Sequence, residues 1–155
     1  MSKIKLSKSC IGADEKQAVM SVLDGGFLGM GKEVQLFEQE LKAFIGTDKE
    51  VICVNTGTAA LHLALLCQDL GVGDEVLVPT LTYVASFQAI SATGAIAVAC
   101  DVLESNGLID LKDAERRITS RTRVIMPVHY ASNASGMDDV YALADKYDLR
   151  VVEDA

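Results

Sequence analysis

Five short apolar runs along the chain have the pattern of buried β-strands. Their Val and Ile content, without alternating polar residues, is typical of strands that are covered on both faces. The five runs are residues 51–55, 75–79, 95–101, 123–129 and 150–154. We therefore predict that these strands form a mainly parallel sheet in the interior of the fold.

Segments with helical periodicity lie between the predicted strands. They are residues 58–70, 82–93, 111–118 and 137–147. Strands that alternate with helices indicate parallel βαβ units, in which helices cover both faces of the sheet. Two more amphipathic helices, at residues 13–23 and 32–44, precede the first strand and are separated by a glycine-rich stretch. The pattern predicts an α/β fold with three layers, α/β/α, around a mainly parallel sheet.

Composition argues against several classes of function. The chain has 155 residues and a formal net charge of −8, so it has no basic surplus with which to bind nucleic acid. No stretch reaches the length of a membrane span, and the amino-terminal residues lack the apolar core of a secretion signal. We therefore expect a cytoplasmic protein that binds neither nucleic acid nor a membrane.

The four cysteines form no recognisable metal or redox motif. They are far apart in the sequence, at Cys10, Cys53, Cys67 and Cys100. The last three lie in apolar runs, where cysteine behaves as a small hydrophobic residue, whereas the surroundings of Cys10 are polar. We predict reduced core thiols at these three positions, and no metal site in the chain.

The first candidate for ligand binding is a small polar turn that joins a predicted strand to a predicted helix at residues 54–61. The start of a helix exposes free N–H groups and the positive end of the helix dipole. Gly57 permits close approach to the backbone, and the hydroxyls of Thr56 and Thr58 can add donors. Either threonine could equally be an ordinary helix cap. The residues alone leave both interpretations open.

Three further candidates follow predicted strands, at the edge of the sheet where ligands of open parallel sheets bind. Tyr83 could stack on a planar ring or simply pack, and His129 could line a cofactor pocket. Asp154 and its neighbour Glu153 should face opposite sides of the sheet. A buried Asp154 needs a partner that is cationic or donates a hydrogen bond. That partner could be a protonated pyridine nitrogen, the free N–H groups of a following helix that Asp154 caps, or a basic side chain in a salt bridge.

Seven segments, taken in order, resemble the DegT/DnrJ/EryC1/StrS family of sugar aminotransferases, which depend on pyridoxal 5'-phosphate (PLP). The segments are Phe37-Glu38 and residues 55–61, 73–76, 79–83, 122–125, 127–131 and 152–155. Each segment alone is a weak signal, but their order and spacing together are specific. The resemblance covers nearly the whole chain and implies the fold-type-I architecture of PLP-dependent transferases.

The resemblance also implies roles for individual residues. Gly57 and Thr58 would hold the cofactor phosphate, Tyr83 would stack on the pyridine ring, and Asp154 would pair with the ring nitrogen. With Thr56 and His129, which the residues themselves suggest, the predicted cofactor-binding set is Thr56, Gly57, Thr58, Tyr83, His129 and Asp154. In the family, the glycine-rich stretch lies near the substrate, so Phe27, Leu28 and Gly29 are candidate substrate contacts.

The activity that the resemblance implies is a ping-pong transfer of an amino group from glutamate to a keto nucleotide sugar, carried out by a homodimer. The family's Schiff-base lysine lies beyond the motif that ends at Ala155, so we expect no catalytic residue in this chain. One alternative is a sugar dehydratase of the same family, in which histidine replaces that lysine. Another is a catalytically inactive truncated fragment, and a third is an unrelated doubly wound binding domain.

The resemblance also makes a prediction about the extent of the domain. Residues 1–155 would be the amino-terminal part of the PLP-binding large domain, without its remainder and without the small C-terminal domain. Residues 151–155 have the pattern of a buried central strand, which normally needs further chain to return across the sheet. Two strands from outside the chain would then lie between the first predicted strand and the fourth.

Overall fold

A computed structural model describes residues 8–155 of the chain. The chain divides into two compact units, and the boundary lies between Cys53 and Val54. The first unit contains two helices, and the second contains the sheet with the helices that cover it. The described residues therefore have an α/β fold with a parallel sheet, as the sequence predicts.

The amino-terminal unit contains helices α1 (Ala13–Gly25) and α2 (Lys32–Ile45), close to the bounds predicted for them. Both helices end at a glycine in the left-handed conformation, Gly26 with φ 69° and Gly46 with φ 71°. Such a residue commonly ends a helix because it has no Cβ to clash in this conformation. No residue of either helix is buried within the described chain.

The second unit is built on four parallel strands in the order β2-β1-β3-β4. They are β1 (Glu75–Pro79), β2 (Ile96–Cys100), β3 (Thr122–Ile125) and β4 (Arg150–Val151). The register between β1 and β3 shifts by one residue: Thr122 lies opposite Glu75, but Val124 lies opposite Val76. Arg123 is thus the extra residue of a bulge at the amino end of the sheet.

Helices cover both faces of this sheet. Helices α3 (Gly57–Leu66) and α4 (Val84–Ala92) pack on one face, and α5 (Leu111–Arg116) and α6 (Met137–Tyr147) pack on the other. Successive residues of β1 alternate between the layers, because Val76 and Val78 belong to the first core and Leu77 to the second. This arrangement confirms the predicted three-layer architecture. Within residues 8–155, no helix is both long enough and apolar enough to cross a membrane.

At the amino edge of the sheet, the buried carboxylate of Glu75 is fully paired. It accepts hydrogen bonds from Thr119 Oγ1 at 2.6 Å, from Arg121 Nε at 3.0 Å and from Thr122 Oγ1 at 3.3 Å. The hydrogen bond from Thr119 and the bond and charge of Arg121 lower the pKa of Glu75 below its ordinary value. These contacts join β1 to the segment that leads into β3.

The strand predicted at residues 51–55 is wrong for the described structure, because these residues have no strand conformation. A strand persists only where a neighbouring strand completes its hydrogen bonds, and none of the described strands lies beside this segment. Its one hydrogen bond to a side chain runs from Cys53 N to Glu38 Oε1, at 2.7 Å.

The prediction of buried thiols is correct only at Cys100. Cys67 is exposed and Cys53 is half-buried, because both lie outside the apolar faces that the sheet covers. All the cysteines in the described chain are free, including the exposed Cys10. Burial raises the pKa of the Cys100 thiol to about 11, so this group remains protonated and unreactive at neutral pH.

Candidate functional site

An open cavity of about 400 Å³ lies at the carboxyl edge of the sheet. Three segments line it, each of which follows a strand: residues 81–83 after β1, residues 128–131 after β3, and residues 154–155 after β4. The cavity brings together Tyr83, His129 and Asp154, which the sequence places separately at strand ends. This is the edge at which ligands of open parallel sheets bind.

The backbone of Asp154 is fixed by the continuation of the ladder between β3 and β4. Asp154 N donates to Pro127 O at 3.0 Å, and His129 N donates to Asp154 O at 2.9 Å. The side chain accepts one hydrogen bond, from Ser86 Oγ to Asp154 Oδ2 at 2.6 Å. Among the described residues, no donor bonds to the second oxygen, Oδ1. The half-buried carboxylate can therefore still accept a bond from a ligand in the cavity.

Glu153 points to the opposite face of the sheet, as side-chain alternation predicts. It accepts a short hydrogen bond from the Tyr141 hydroxyl of α6, and this bond raises the pKa of Tyr141 above its ordinary value. The other oxygen, Oε2, lies 2.9 Å from His129 Nε2. This contact is not counted among the hydrogen bonds of residues 8–155, so the near neighbour of the buried Nε2 is a carboxylate oxygen in ion-pair range.

The ring of Tyr83 is available to a ligand. Tyr83 precedes the first residue of α4 and lines the cavity, and 78% of its surface is exposed in the described chain. The open space beside the ring is compatible with stacking on a planar ligand, and this role stays a prediction for Tyr83.

The start of α3 has the features of a cap and of an anion site together. Thr56 caps the helix, because its Oγ1 accepts a hydrogen bond from Ala59 N at 3.1 Å. In the part of the chain that the structure describes, the N–H groups of Gly57 and Thr58 have no acceptor. No heavy atom lies within 4 Å of the position of a Cβ on Gly57, so there is open space for a ligand. Residues 56–58 do not themselves line the cavity at the sheet edge.

The residues predicted to contact substrate lie in the amino-terminal unit. Phe27, Leu28 and Gly29 line a separate open cavity of about 500 Å³ beside α1 and α2. The exposed fractions of Phe27 and Leu28 are 67% and 70%. Gly31 allows this loop to fold tightly, because a Cβ there would lie 2.8 Å from the Phe27 ring.

Ser86 and Thr82 are polar residues of this site that the sequence reasoning missed. Ser86 lies on the buried face of α4, between the buried residues Ala85 and Ala89, and its Oγ is 2.6 Å from Thr82 Oγ1. A serine on the apolar face of a helix is a signal that could have been noticed, because a buried hydroxyl requires a partner. Its partner, Asp154, lies 68 residues further along the chain and has no local sequence signature.

Two of the four non-glycine residues with a positive φ in the described chain lie at or next to the cavity. Ala131 and Ser132 both have left-handed conformations, with φ of 53° and 61°, which residues with a Cβ rarely adopt. The loop after β2 approaches the same segment closely. A Cβ on Gly107, which has a φ of +73°, would lie 2.8 Å from the ring of Tyr130 and 3.1 Å from Leu81. Strain of this kind is often found at functional sites.

Residues 9–155 match the model of the DegT/DnrJ/EryC1/StrS aminotransferase family. The chain is 41% identical over 152 residues to dTDP-3-amino-3,4,6-trideoxy-alpha-D-glucose transaminase of Streptomyces venezuelae, covering 98% of this chain and 40% of that protein. It is also 41% identical over 145 residues to the spore coat polysaccharide biosynthesis protein SpsC of Bacillus subtilis (strain 168), covering 94% of this chain and 37% of SpsC.

A solved structure resembles the described chain closely. It is the putative sugar aminotransferase Spr1654 from Streptococcus pneumoniae in its PMP form, with a TM-score of 0.91 and 30% sequence identity. The match covers 99% of this chain and 42% of that structure. The chain thus spans about two fifths of the length of the proteins that it matches.

Proposed function

We propose that this chain, which belongs to the DegT/DnrJ/EryC1/StrS aminotransferase family, is the amino-terminal part of the PLP-binding large domain of a longer sugar aminotransferase. The remainder of that domain, the small C-terminal domain and the lysine that bonds to PLP would then lie beyond Ala155. The relatives named above support this proposal, because the chain spans only about two fifths of their length.

The single observation that carries the proposal is the hydrogen bonding of the Asp154 carboxylate. This group lies at the carboxyl edge of the sheet with one oxygen bonded to Ser86 and the other without a donor from the described chain. A protonated pyridine nitrogen supplies one N–H donor and one positive charge, which match the available oxygen. Asp154 would hold the proton of the ring nitrogen in place throughout the reaction.

The other predicted cofactor residues fit the remaining parts of PLP. The open N–H groups of Gly57 and Thr58, with the Thr56 hydroxyl, suit the phosphate group, because they lie at the positive end of the α3 dipole. The exposed ring of Tyr83 can stack on the pyridine. His129 would line the pocket beside Asp154, because both residues line the same cavity.

The reaction would transfer an amino group from glutamate to a keto nucleotide sugar. Bound PLP supplies an electron sink, which allows the carbon that carries the amino group to lose a proton. The acceptor class is supported by the dTDP-linked sugar in the name of the Streptomyces relative. Phe27, Leu28 and Gly29 would contact this substrate, and the enzyme would act in the cytoplasm as a homodimer.

The test is a visible absorption spectrum of the purified full-length protein with PLP, followed by the addition of glutamate. We expect a visible band from protein-bound PLP, which glutamate replaces with the near-ultraviolet absorbance of pyridoxamine phosphate. Sedimentation of the same sample measures whether the protein is a dimer.

Two results would contradict the proposal in different ways. Bound PLP that does not respond to glutamate would favour the dehydratase alternative and reject the aminotransferase. A protein that stays colourless with excess PLP would reject the cofactor assignment. An acceptor screen with dTDP-linked keto sugars and the corresponding free sugars then measures whether the nucleotide is recognised.

A further inference from the structure

We propose that Thr82 and Ser86 form a buried relay of hydroxyl groups that holds Asp154 in the orientation needed by the cofactor ring. Both would be positioning residues, since they act on the cofactor only through Asp154. This inference rests on the proposed function, because it assigns the relay's purpose to the site where PLP would bind.

The relay consists of two short contacts in the interior of the protein. Ser86 has no exposed surface, and its Oγ lies 2.6 Å from Asp154 Oδ2 and 2.6 Å from Thr82 Oγ1. Thr82 is half-buried in the turn before α4. Water is therefore excluded from the central hydroxyl, and an unpaired polar atom at this position would be costly.

The direction of the two bonds follows from the number of protons. The Asp154 carboxylate has no proton to donate, so the single proton of Ser86 must point to Oδ2. Ser86 Oγ then acts as the acceptor of the second contact, and Thr82 is its donor. The two bonds strengthen each other, because a hydroxyl that accepts a hydrogen bond becomes a better donor.

An ordinary helical role for Ser86 fits the distances less well. A serine in a first helical turn often donates to a backbone carbonyl nearby, and Tyr83 O lies 3.2 Å from Ser86 Oγ. Asp154 Oδ2 is 0.6 Å closer, at 2.6 Å, and carries a charge that strengthens the bond. Ser86 Oγ therefore donates its proton to Asp154 in a hydrogen bond, and the carbonyl of Tyr83 accepts a hydrogen bond from the backbone N–H of Ser86 at 3.2 Å.

The consequence for the site is a carboxylate with one fixed oxygen and one available oxygen. No other side chain of the described residues donates a hydrogen bond to Asp154, so Ser86 supplies the one side-chain hydrogen bond that orients the carboxylate. With Oδ2 held in the interior, Oδ1 is left to receive the ring N–H. A carboxylate that loses this donor would no longer be oriented by a hydrogen bond from the described chain, which weakens its charge-assisted bond to the ring N–H.

The experiment uses the full-length protein and four single variants. Ser86→Ala removes the central hydroxyl, Thr82→Val removes the outer one at nearly constant shape, and Ser86→Thr retains the hydroxyl. Ser91→Ala is the matched control, because Ser91 is an exposed serine on the same helix. Three quantities are measured for each: the dissociation constant for PLP, the ¹⁵N chemical shift of the bound ring nitrogen, and the unfolding temperature without PLP.

We expect Ser86→Ala to bind PLP about 10-fold more weakly, as the loss of one hydrogen bond to a charged group implies. Thr82→Val should weaken PLP binding roughly 3-fold, because it acts one bond further away. In Ser86→Ala, the ¹⁵N shift should move towards that of unprotonated pyridine, whereas Ser86→Thr and Ser91→Ala should resemble the wild type. A merely structural role would lower the unfolding temperature without moving the ¹⁵N shift.

The relay alone is overturned if the wild type binds PLP and Ser86→Ala equals Ser91→Ala in both affinity and ¹⁵N shift. A wild-type protein that binds no PLP overturns the proposed function, and the relay's role with it. If Ser86→Ala does not fold, Thr82→Val and Ser86→Thr decide the question. The relay is supported if Thr82→Val binds PLP more weakly than the wild type while Ser86→Thr binds it normally. It is overturned if both variants bind PLP as tightly as the wild type does.

Discussion

The two edges of the sheet each carry an acidic side chain, but the two carboxylates accept different numbers of hydrogen bonds. At the amino edge, Glu75 accepts hydrogen bonds from Thr119, Arg121 and Thr122 and is almost completely buried. At the carboxyl edge, Asp154 is half-buried and accepts one hydrogen bond from a side chain. The Glu75 carboxylate therefore has no oxygen free to accept a hydrogen bond from a ligand, whereas the Asp154 carboxylate has one.

This difference indicates how the fold separates stability from binding. A buried charge with several donors stabilises the native state only when all its partners are in place. A charge that is left partly unpaired, beside strained residues such as Ala131 and Ser132, costs stability and provides affinity for a ligand. We therefore expect mutations at the amino edge to change stability, and mutations at the carboxyl edge to change cofactor binding.

The largest effect should come from Glu75→Gln. The amide keeps the size of the side chain but loses the charge that pairs with Arg121, and its NH₂ group would face the donors around it. We expect the free energy of unfolding to fall by about 3 kcal/mol. Urea unfolding of the full-length protein measures this, with Glu104→Gln at an exposed position as the control. Equal stability of the two variants would contradict the structural role of the amino edge.

The stabilisation by Glu75 should also depend on pH. Its pKa is lowered in the folded protein from an ordinary value of 4.5, mainly by the hydrogen bonds from Thr119 and Arg121. The contribution is therefore complete above pH 4.5 and is lost as the pH falls through the lower folded value. We expect the difference in unfolding free energy between the wild type and Glu75→Gln to shrink as the pH is lowered from neutral to below 4.5. A difference that stays constant over this range would contradict the assignment.

At the carboxyl edge, Asp154→Asn should show the opposite division of effects. The amide oxygen can still accept the proton of Ser86, so we expect the free energy of unfolding to change by less than about 1 kcal/mol. The neutral side chain cannot balance a protonated ring, so PLP binding by the full-length protein should weaken by about 2 kcal/mol, or roughly 30-fold. A PLP titration beside the same urea experiment measures both. A large loss of stability with unchanged PLP affinity would reverse the proposed comparison.

The smallest effect should come from relief of backbone strain beside the cavity. Ser132→Gly removes the Cβ that is unfavourable at a φ of 61°, although glycine also increases the entropy of the unfolded chain. We expect a net stabilisation of about 0.5–1 kcal/mol. Ser135→Gly is the control, because Ser135 lies in the same loop without a left-handed backbone and should be destabilised slightly. Destabilisation of Ser132→Gly to the same extent would show that the strain costs nothing.

The sequence predicts elements well where their determinants are local. The bounds of α6 agree with the prediction, because Gly136 and Asp148 flank it in left-handed conformations that end regular helical structure. The bounds of β1 also agree, because a short apolar run between polar turns permits few alternatives. The orientation of Glu153 and Asp154 towards opposite helical layers follows from side-chain alternation.

Features that depend on distant partners were not predictable in the same way. Residues 51–55 have the composition of a strand, but a strand forms only beside a neighbour, and sequence composition does not reveal whether one is present. The pairing of Ser86 with Asp154 joins residues 68 positions apart. Side-chain alternation predicts the face towards which Asp154 points, whereas only the packing of α4 on the sheet determines the donor that it meets there.

The bulge at Arg123 has a consequence for how the length of this chain can change during evolution. Residues opposite each other on neighbouring strands share a face, so the loss of one residue within β3 would exchange its two faces. Loss of Arg123 itself would only restore an even ladder and leave Val124 opposite Val76. Loss of a residue between Val124 and His129 would instead turn the His129 side chain to the other side of the sheet. One-residue deletions among descendants of this sequence should therefore fall at the bulge, because a deletion there leaves the following side chains on the same faces of the sheet.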